Sequence, residues 1–333
     1  MWYPREKKII LNAESLTNNS VRVFTNIFPL DGTGWVRLRM ILSATVVAGT
    51  GTVPLEDGCY RYLKGITLKT SRGEVLLNNV PGMALYRLMA FLNHSVPVHD
   101  VVVLAGGTFK AVLDIPFCMP FLNRPEDTIF DSGRYSNLEL QLSTGGASDF
   151  LQTVGTATVA VTLTLEIHNT MSALVNDGTG EPVALPYITV YPTVHADLQR
   201  YYDLESSLDL GLFGFYLYNH DASGIPFCPT AAGLDHLYDV TFKDVVRIWL
   251  DKNPQWSFNE ERIKLLPYNP YQTPTGTGIP TTLVGTYPHF FLRNGSINEC
   301  YPTGRKAQIR LEWQNATGTD ETELCVFGMR ALR

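Results

Sequence analysis

The residues with the most chemical promise are two cysteines in matching settings. Ile115-Pro116-Phe117-Cys118 and Ile225-Pro226-Phe227-Cys228 repeat the same four residues 110 positions apart. Such a pair invites two readings, a duplicated thiol site or a disulfide. The remaining cysteine usage weakens both. There are five cysteines (Cys59, Cys118, Cys228, Cys300 and Cys325), an odd number with no C-x-x-C spacing. Isolated cysteines of this kind are expected as reduced, mostly buried thiols that pack as small apolar groups.

The other chemistry-bearing types do not converge. Seven histidines are dispersed along the chain. A metal site inside a barrel needs histidines alternating on one strand, so that two reach the same lumen. His94 and His99 are five apart, which puts them on opposite faces of a strand. Asn176–Gly180 (NDGTG) resembles a fragment of a calcium loop but lacks the later carboxylates that hard-cation binding needs, and reads as a turn. Glycoside hydrolysis requires two carboxyl groups facing each other across a cleft. The adjacent pairs Glu56/Asp57 and Glu260/Glu261 do not supply that and read as solvated faces. There is no phosphate loop, dinucleotide fingerprint, H-E-x-x-H or nucleophile elbow. Asn18, Asn93, Asn294 and Asn315 begin Asn-x-Ser/Thr triplets, which carry little weight without a secretory signal. No catalytic, cofactor or metal site is assigned, and the chain is not read as an enzyme.

The amino terminus is more suggestive. Trp2 and Tyr3 precede Arg5, Lys7 and Lys8, followed by Ile9-Ile10-Leu11. Aromatic rings favour membrane interfaces, and each cation near an anionic lipid surface is worth ~1 kcal/mol. These five residues are the candidates for a membrane-facing arm, made strong by avidity when many copies share one lattice. The competing reading is an ordinary flexible arm or a first strand.

The elements around these residues are strands. In Thr156–His168 the apolar side is Val159, Val161, Leu163, Leu165 and Ile167, and the other side is Thr158, Ala160, Thr162, Thr164, Glu166 and His168. This is the period of a half-buried strand. Leu138, Leu140 and Leu142 alternate with polar residues, as do Ile309, Leu311 and Trp313, and Val36, Leu38 and Met40 alternate with Arg37 and Arg39. Phe109, Ala111, Leu113 and Ile115 form a further apolar face. Gly/Asn/Asp turns separate the runs, at Asp31–Gly34, Ser143–Gly146 and Asn315–Asp320. This pattern predicts an all-β sandwich or barrel. One helix is expected over Pro81–Phe91, with Ala84, Leu85, Leu88, Met89 and Leu92 on its apolar face.

Apolar residues make up 45% of the 333 residues and charged residues only 17%, against a usual ~25%. A net charge of −6 argues against general nucleic-acid binding. No apolar run reaches the length of a membrane-spanning helix, and no signal-peptide core follows the first residues, so synthesis and folding in a cytoplasm are expected.

An architectural repeat organises the chain. Leu138, Leu140 and Leu142 match Ile309, Leu311 and Trp313 at an offset of 171, each followed by a similar turn and a last apolar strand. Gly107–Phe109 matches Gly285–Tyr287 at an offset of 178. The cysteine stretches, 110 apart, do not obey this period. They are expected at different points of two β domains and without a bond between Cys118 and Cys228. The domains are read as 1–172 (arm and first domain), a linker over 173–186, and 187–333.

With these features in view, the chain resembles the double jelly-roll major capsid proteins of tailless icosahedral viruses. These include tectivirus-, corticovirus- and finnlakevirus-like bacteriophages and, more distantly, adenovirus. The resemblance rests on Val21–Val46 as an opening strand pair, and on Tyr60–Phe91, where a strand ends in Thr70-Ser71-Arg72-Gly73 and leads into a short helix. Phe109–Phe121 adds a strand that ends in an apolar-Pro step, and Asn137–Leu142 with Thr156–His168 closes the first barrel. It implies an all-β fold of two tandem eight-stranded jelly rolls with one or more short helices. It also implies homotrimers of pseudo-hexagonal outline that tile an icosahedral shell around an internal membrane. The implied partners are neighbouring trimers, penton and minor capsid proteins and inner-membrane lipid, with no direct nucleic-acid recognition, in a virion capsid made in the host cytoplasm. A carbohydrate-binding adhesin or spike head is the alternative.

Overall fold

The computed structural model describes residues 6–47, 53–55, 57–93, 97, 100, 105–119, 121–173, 182–195, 200–204, 209–221, 246–250, 253–258, 286–292, 294–303, 309–313 and 320–332. The chain divides into two compact units between Thr189 and Val190, with Leu332 assigned to the first.

In the first unit eight strands carry the fold: β1 (Glu6–Leu16), β2 (Val21–Phe24), β3 (Thr33–Val47), β4 (Leu63–Thr70), β5 (Val75–Val80), β6 (Ala105–Pro116), β7 (Leu138–Thr144) and β8 (Thr158–Ala173). One sheet has the order β1-β8-β3-β6 and the other β2-β7-β4-β5. Each sheet thus interleaves early and late strands, which is the jelly-roll connection of two nested Greek keys.

Alternation decides which face is core. On β3, Leu38, Met40, Leu42, Ala44 and Val46 are fully buried. They oppose Ile115, Leu113, Ala111 and Phe109 of β6 and Ile167, Leu165, Leu163 and Val161 of β8, in antiparallel register. The facing sheet contributes Leu138, Leu140 and Leu142 of β7 and Ile66 and Leu68 of β4, all without exposed surface. The β4–β5 turn falls where the sequence places it. Gly73 has φ of 82°, and its N–H donates to Thr70 O at 3.0 Å.

Two helices close this unit, α1 (Gly58–Tyr62) and α2 (Gly82–Asn93). The sequence predicts a single apolar face on α2. The structure buries every residue from Ala84 to Leu92, Tyr86 and Arg87 included. Pro81 stands just before the helix, where its carbonyl accepts from Leu85 N–H. The rings of Tyr60 and Tyr86 lie 4.4 Å apart, and a Cβ on Gly82 would approach Tyr60 O to 2.4 Å. Glycine is what allows α1 and α2 this contact.

The second jelly roll repeats the plan with β9 (Ala184–His195), of which Ala184–Thr189 fall in the first compact unit, β10 (Arg200–Leu204), β11 (Leu210–Asp221), β12 (Val246–Leu250), β13 (Asn253–Phe258), β14 (Thr286–Phe290), β15 (Ile309–Trp313) and β16 (Asp320–Ala331). Its sheet orders are β9-β16-β11-β14 and β10-β15-β12-β13. These are the orders of the first unit with eight added to every strand. The strands matched in the sequence, β6 with β14, β7 with β15 and β8 with β16, occupy equivalent positions. β11 is buried on both faces from Leu210 to Tyr218, as is β16 from Leu324 to Gly328, which accounts for their unbroken apolar runs.

Strand reaches into both ends of the 173–186 stretch: Ala173 ends β8 and Ala184–Pro186 open β9. One sequence expectation changes. Glu166 and His168, expected on a solvated face, are 3% and 7% exposed.

Candidate functional site

The first Ile-Pro-Phe-Cys stretch is a packing element. Pro116 ends β6 opposite Arg37, and the N–H groups of Phe117 and Cys118 both donate to Val36 O at 2.9 Å. Phe117 is fully buried and joins a cluster with Trp35 (centroids 6.3 Å) and Phe130 (5.1 Å), on which Tyr135 stacks at 4.9 Å from Phe130. Cys118 is a free thiol packed against Val36 and Ile129. Burial, and secondarily Glu126, push its pKa up to about 12; burial and Asp100 do the same for Cys59. Neither is a thiolate nucleophile near neutral pH. Cys228, His94, His99, Glu56, Glu260/Glu261 and Asn176–Gly180 lie outside the described residues.

The other candidates serve the fold. Asp57 is buried and pairs with Arg61 Nε at 2.7 Å across one turn of α1. Asn18 Nδ2 donates to Val159 O at 3.1 Å, and Asn18 Oδ1 accepts from Tyr62 Oη at 3.0 Å, so this amide ties a turn to the barrel. Asn294 donates to Glu299 Oε1 at 2.7 Å. Among the described residues no group of three or more His, Cys, Asp and Glu side chains is placed to hold a metal ion.

Of the candidate arm, Trp2, Tyr3 and Arg5 lie outside the described residues. Lys7 and Lys8 are in β1, the edge strand of its sheet among the described residues. Lys7 Nζ is 2.6 Å from Glu166 Oε1, and Lys8 Nζ is 3.6 Å from Asp31 Oδ2. Both lysines are about half exposed, yet each is partnered within the unit. Two register shifts, between Ile9 and Leu11 and between Leu11 and Glu14, interrupt the β1–β8 ladder, and Ala13 takes a φ of 51°. Charges and irregularities of this kind protect an edge strand from pairing with another chain.

Lys7 opens a charged network across all four strands of this sheet. Register aligns Lys7, His168 and Arg37 in one row and Glu166, Arg39 and Asp114 in the next. Asp114 takes Arg39 through two bonds, Nε–Oδ1 at 2.8 Å and Nη2–Oδ2 at 3.0 Å, and accepts from Arg37 Nη1 at 3.2 Å. Arg37 Nη2 donates to His168 Nδ1 at 3.3 Å, and His168 Nε2 donates to Glu166 Oε2 at 3.4 Å. Since an arginine can only donate, this arrangement fixes His168 as the neutral tautomer with its proton on Nε2. Burial, then Arg37 and Arg39, hold the His168 pKa below its ordinary value.

The sequence reading did not find this network. Its parts are visible as charges at alternate positions of Arg37/Arg39 and Glu166/His168, with Asp114 on a third strand. What joins them is the register of β3, β6 and β8, which no local pattern specifies.

Solved structures with the same architecture are known. The STIV MCP matches with a TM-score of 0.68 at 12% identity, over 97% of this chain and 96% of that one. A chain in the atomic structure of Sulfolobus Turreted Icosahedral Virus gives 0.66 at 13% identity, over 97% and 90%. The major capsid protein P2 from Bacteriophage PM2 gives 0.54 at 9% identity, over 98% of both chains. No family model and no curated protein sequence matches. At these identities the likeness is one of fold, and the fold is the double jelly roll.

Proposed function

We propose that this chain is a viral major capsid protein, a structural subunit without catalytic activity. The observation that carries the reading is the full-length match, in which both jelly rolls and nearly all of each chain align with capsid proteins. Fold alone is a weak guide to function for a single sandwich. Two complete rolls of identical strand order in one chain are a far more restrictive pattern. Low charge is in keeping with it, since subunit contacts deplete Lys and Glu.

On this reading three copies form a pseudo-hexagonal homotrimer, which tiles an icosahedral shell beside penton and minor capsid proteins. The chain resides in the virion and leaves nucleic-acid recognition to other components. The segment before β1, with Trp2, Tyr3 and Arg5, faces the internal membrane. The domain assignment we adopt is one jelly roll on each side of the 173–186 segment. A carbohydrate-binding head would need clustered aromatics at an open surface. Among the described residues the aromatics Trp35, Tyr60, Tyr86, Phe117 and Phe130 are buried. Electron microscopy of the concentrated purified protein tests the proposal: hexagonally packed capsomers or closed shells are expected. Dispersed single particles that bind a glycan array would point to the alternative.

A further inference from the structure

The charged network on the β1-β8-β3-β6 sheet also governs how firmly the amino-terminal strand is held. We propose that His168 is the acid-sensitive pin of a clasp that fastens residues 6–9 of β1 to β8 and releases them as pH falls below neutrality. The inference stands on the geometry of this network and does not depend on the capsid reading.

The groups that face His168 come from every strand of the sheet. Arg37 and Arg39 lie on β3, Asp114 on β6, Glu166 on β8 itself and Lys7 on β1. With His168 neutral these groups total three positive and two negative charges. His168 Nδ1 presents a lone pair to Arg37, and Nε2–H is shared with Glu166, which remains free to hold Lys7.

A proton taken up from solvent at Nδ1 changes three things together. The lone pair that accepted from Arg37 is gone, and two N–H donors now face each other at the 3.3 Å contact. The network gains a fourth positive charge. The bond from Nε2–H to Glu166 becomes charge-assisted, so His168 competes with Lys7 for the same carboxylate.

Lys7 is the member that yields. Arg39 is held by two bonds to Asp114, and Arg37 by a third. Lys7 is 54% exposed and sits on an edge strand whose residues Glu6, Lys7, Lys8 and Ile9 are all exposed. The core anchor of β1 is Leu16, and the two register shifts separate it from Ile9. Residues 6–9 can therefore leave the sheet without opening the core.

Linkage fixes the direction. Burial, then Arg37 and Arg39, hold the His168 pKa below the 6.5 of a free imidazole; release of β1 uncovers the ring and lets its pKa rise from that depressed value, so the clasp is at full strength while His168 is neutral and weakens as pH falls toward the folded value. The loss is about tenfold for each unit by which the His168 pKa differs between clasped and released states.

The test is amide hydrogen exchange on the full chain between about pH 7.5 and pH 5.5, corrected for intrinsic exchange, and read on the peptide covering residues 6–9. In the wild type, protection of this peptide is expected to fall while that of β3 and β7 stays constant. His168→Gln keeps one acceptor and one donor but cannot take up a proton, so its protection should be independent of pH in this window. Unchanged wild-type protection, or an equal fall in the variant, overturns the proposal. If the variant does not fold, the titration of His168 in the wild type decides by NMR. A midpoint below 6.5 that coincides with the loss of protection supports the clasp, and a midpoint at or above 6.5, or one apart from the loss, overturns it.

Discussion

Phe117 explains more of the first Ile-Pro-Phe-Cys stretch than Cys118 does. Its buried ring joins an aromatic cluster with Trp35 and Phe130, while the thiol beside it packs passively. Phe117→Ala should therefore cost about 3–5 kcal/mol in chemical denaturation. Alkylation of Cys118 near neutral pH should be slow in the folded protein and fast after unfolding, because burial holds the thiol protonated up to about pH 12. Asp114 carries a different kind of importance. Asp114→Asn leaves two half-buried guanidinium groups without their carboxylate and should destabilise by about 2–3 kcal/mol, less than a fully buried pair because both arginines reach water. The expectation of reduced thiols, read from cysteine spacing, agrees with Cys59, Cys118, Cys300 and Cys325, which are free, although only Cys59 and Cys325 are buried. The packing role of Phe117 was not legible in the sequence, because the cluster is assembled by pairing: Phe117 follows the β3–β6 ladder, and Phe130 reaches Trp35 as its antiparallel partner.

Strands announced themselves through their alternation, and β3, β6, β7 and β8 bury the faces that the pattern assigned. Where that reading failed, the cause is a contact between strands. Glu166 and His168 continue the outward side of β8 but are covered by side chains from β1 and β3, and a period-two pattern says nothing about what lies across from it. Helix α2 misled in a similar way: it packs on all sides, so the apolar stripe understated its burial. Two glycines separate local from tertiary demands. Gly73→Ala meets open space and only the cost of a positive φ, about 1 kcal/mol. Gly82→Ala meets Tyr60 O and should force α1 away from α2, at about 1–3 kcal/mol or more. Paired thermal melts of the two variants would check the order; a milder Gly82→Ala would show that the helix contact is not tight.

For the whole chain, the repeat in the sequence was the informative signal. Its identity is weak, but the offsets of 171 and 178 residues linked strands that hold equivalent positions in the two rolls. The match of the two cysteine stretches is stronger in letters but does not follow that period, and the second stretch lies outside the described residues. The amino-terminal candidates divide along the same line. Lys7 and Lys8 are engaged in ion pairs within the first unit and stay about half exposed, while Trp2, Tyr3 and Arg5 lie outside the described residues. Removing residues 1–5 should weaken binding of assembled particles to anionic vesicles, and unchanged binding would end the membrane role of this segment.

Assembly can be read from the mass of the purified chain by light scattering during size-exclusion chromatography, across a range of salt and protein concentration. A capsid subunit of this architecture should give a discrete species at three times the chain mass. A chain that stays monomeric under every condition is not such a subunit.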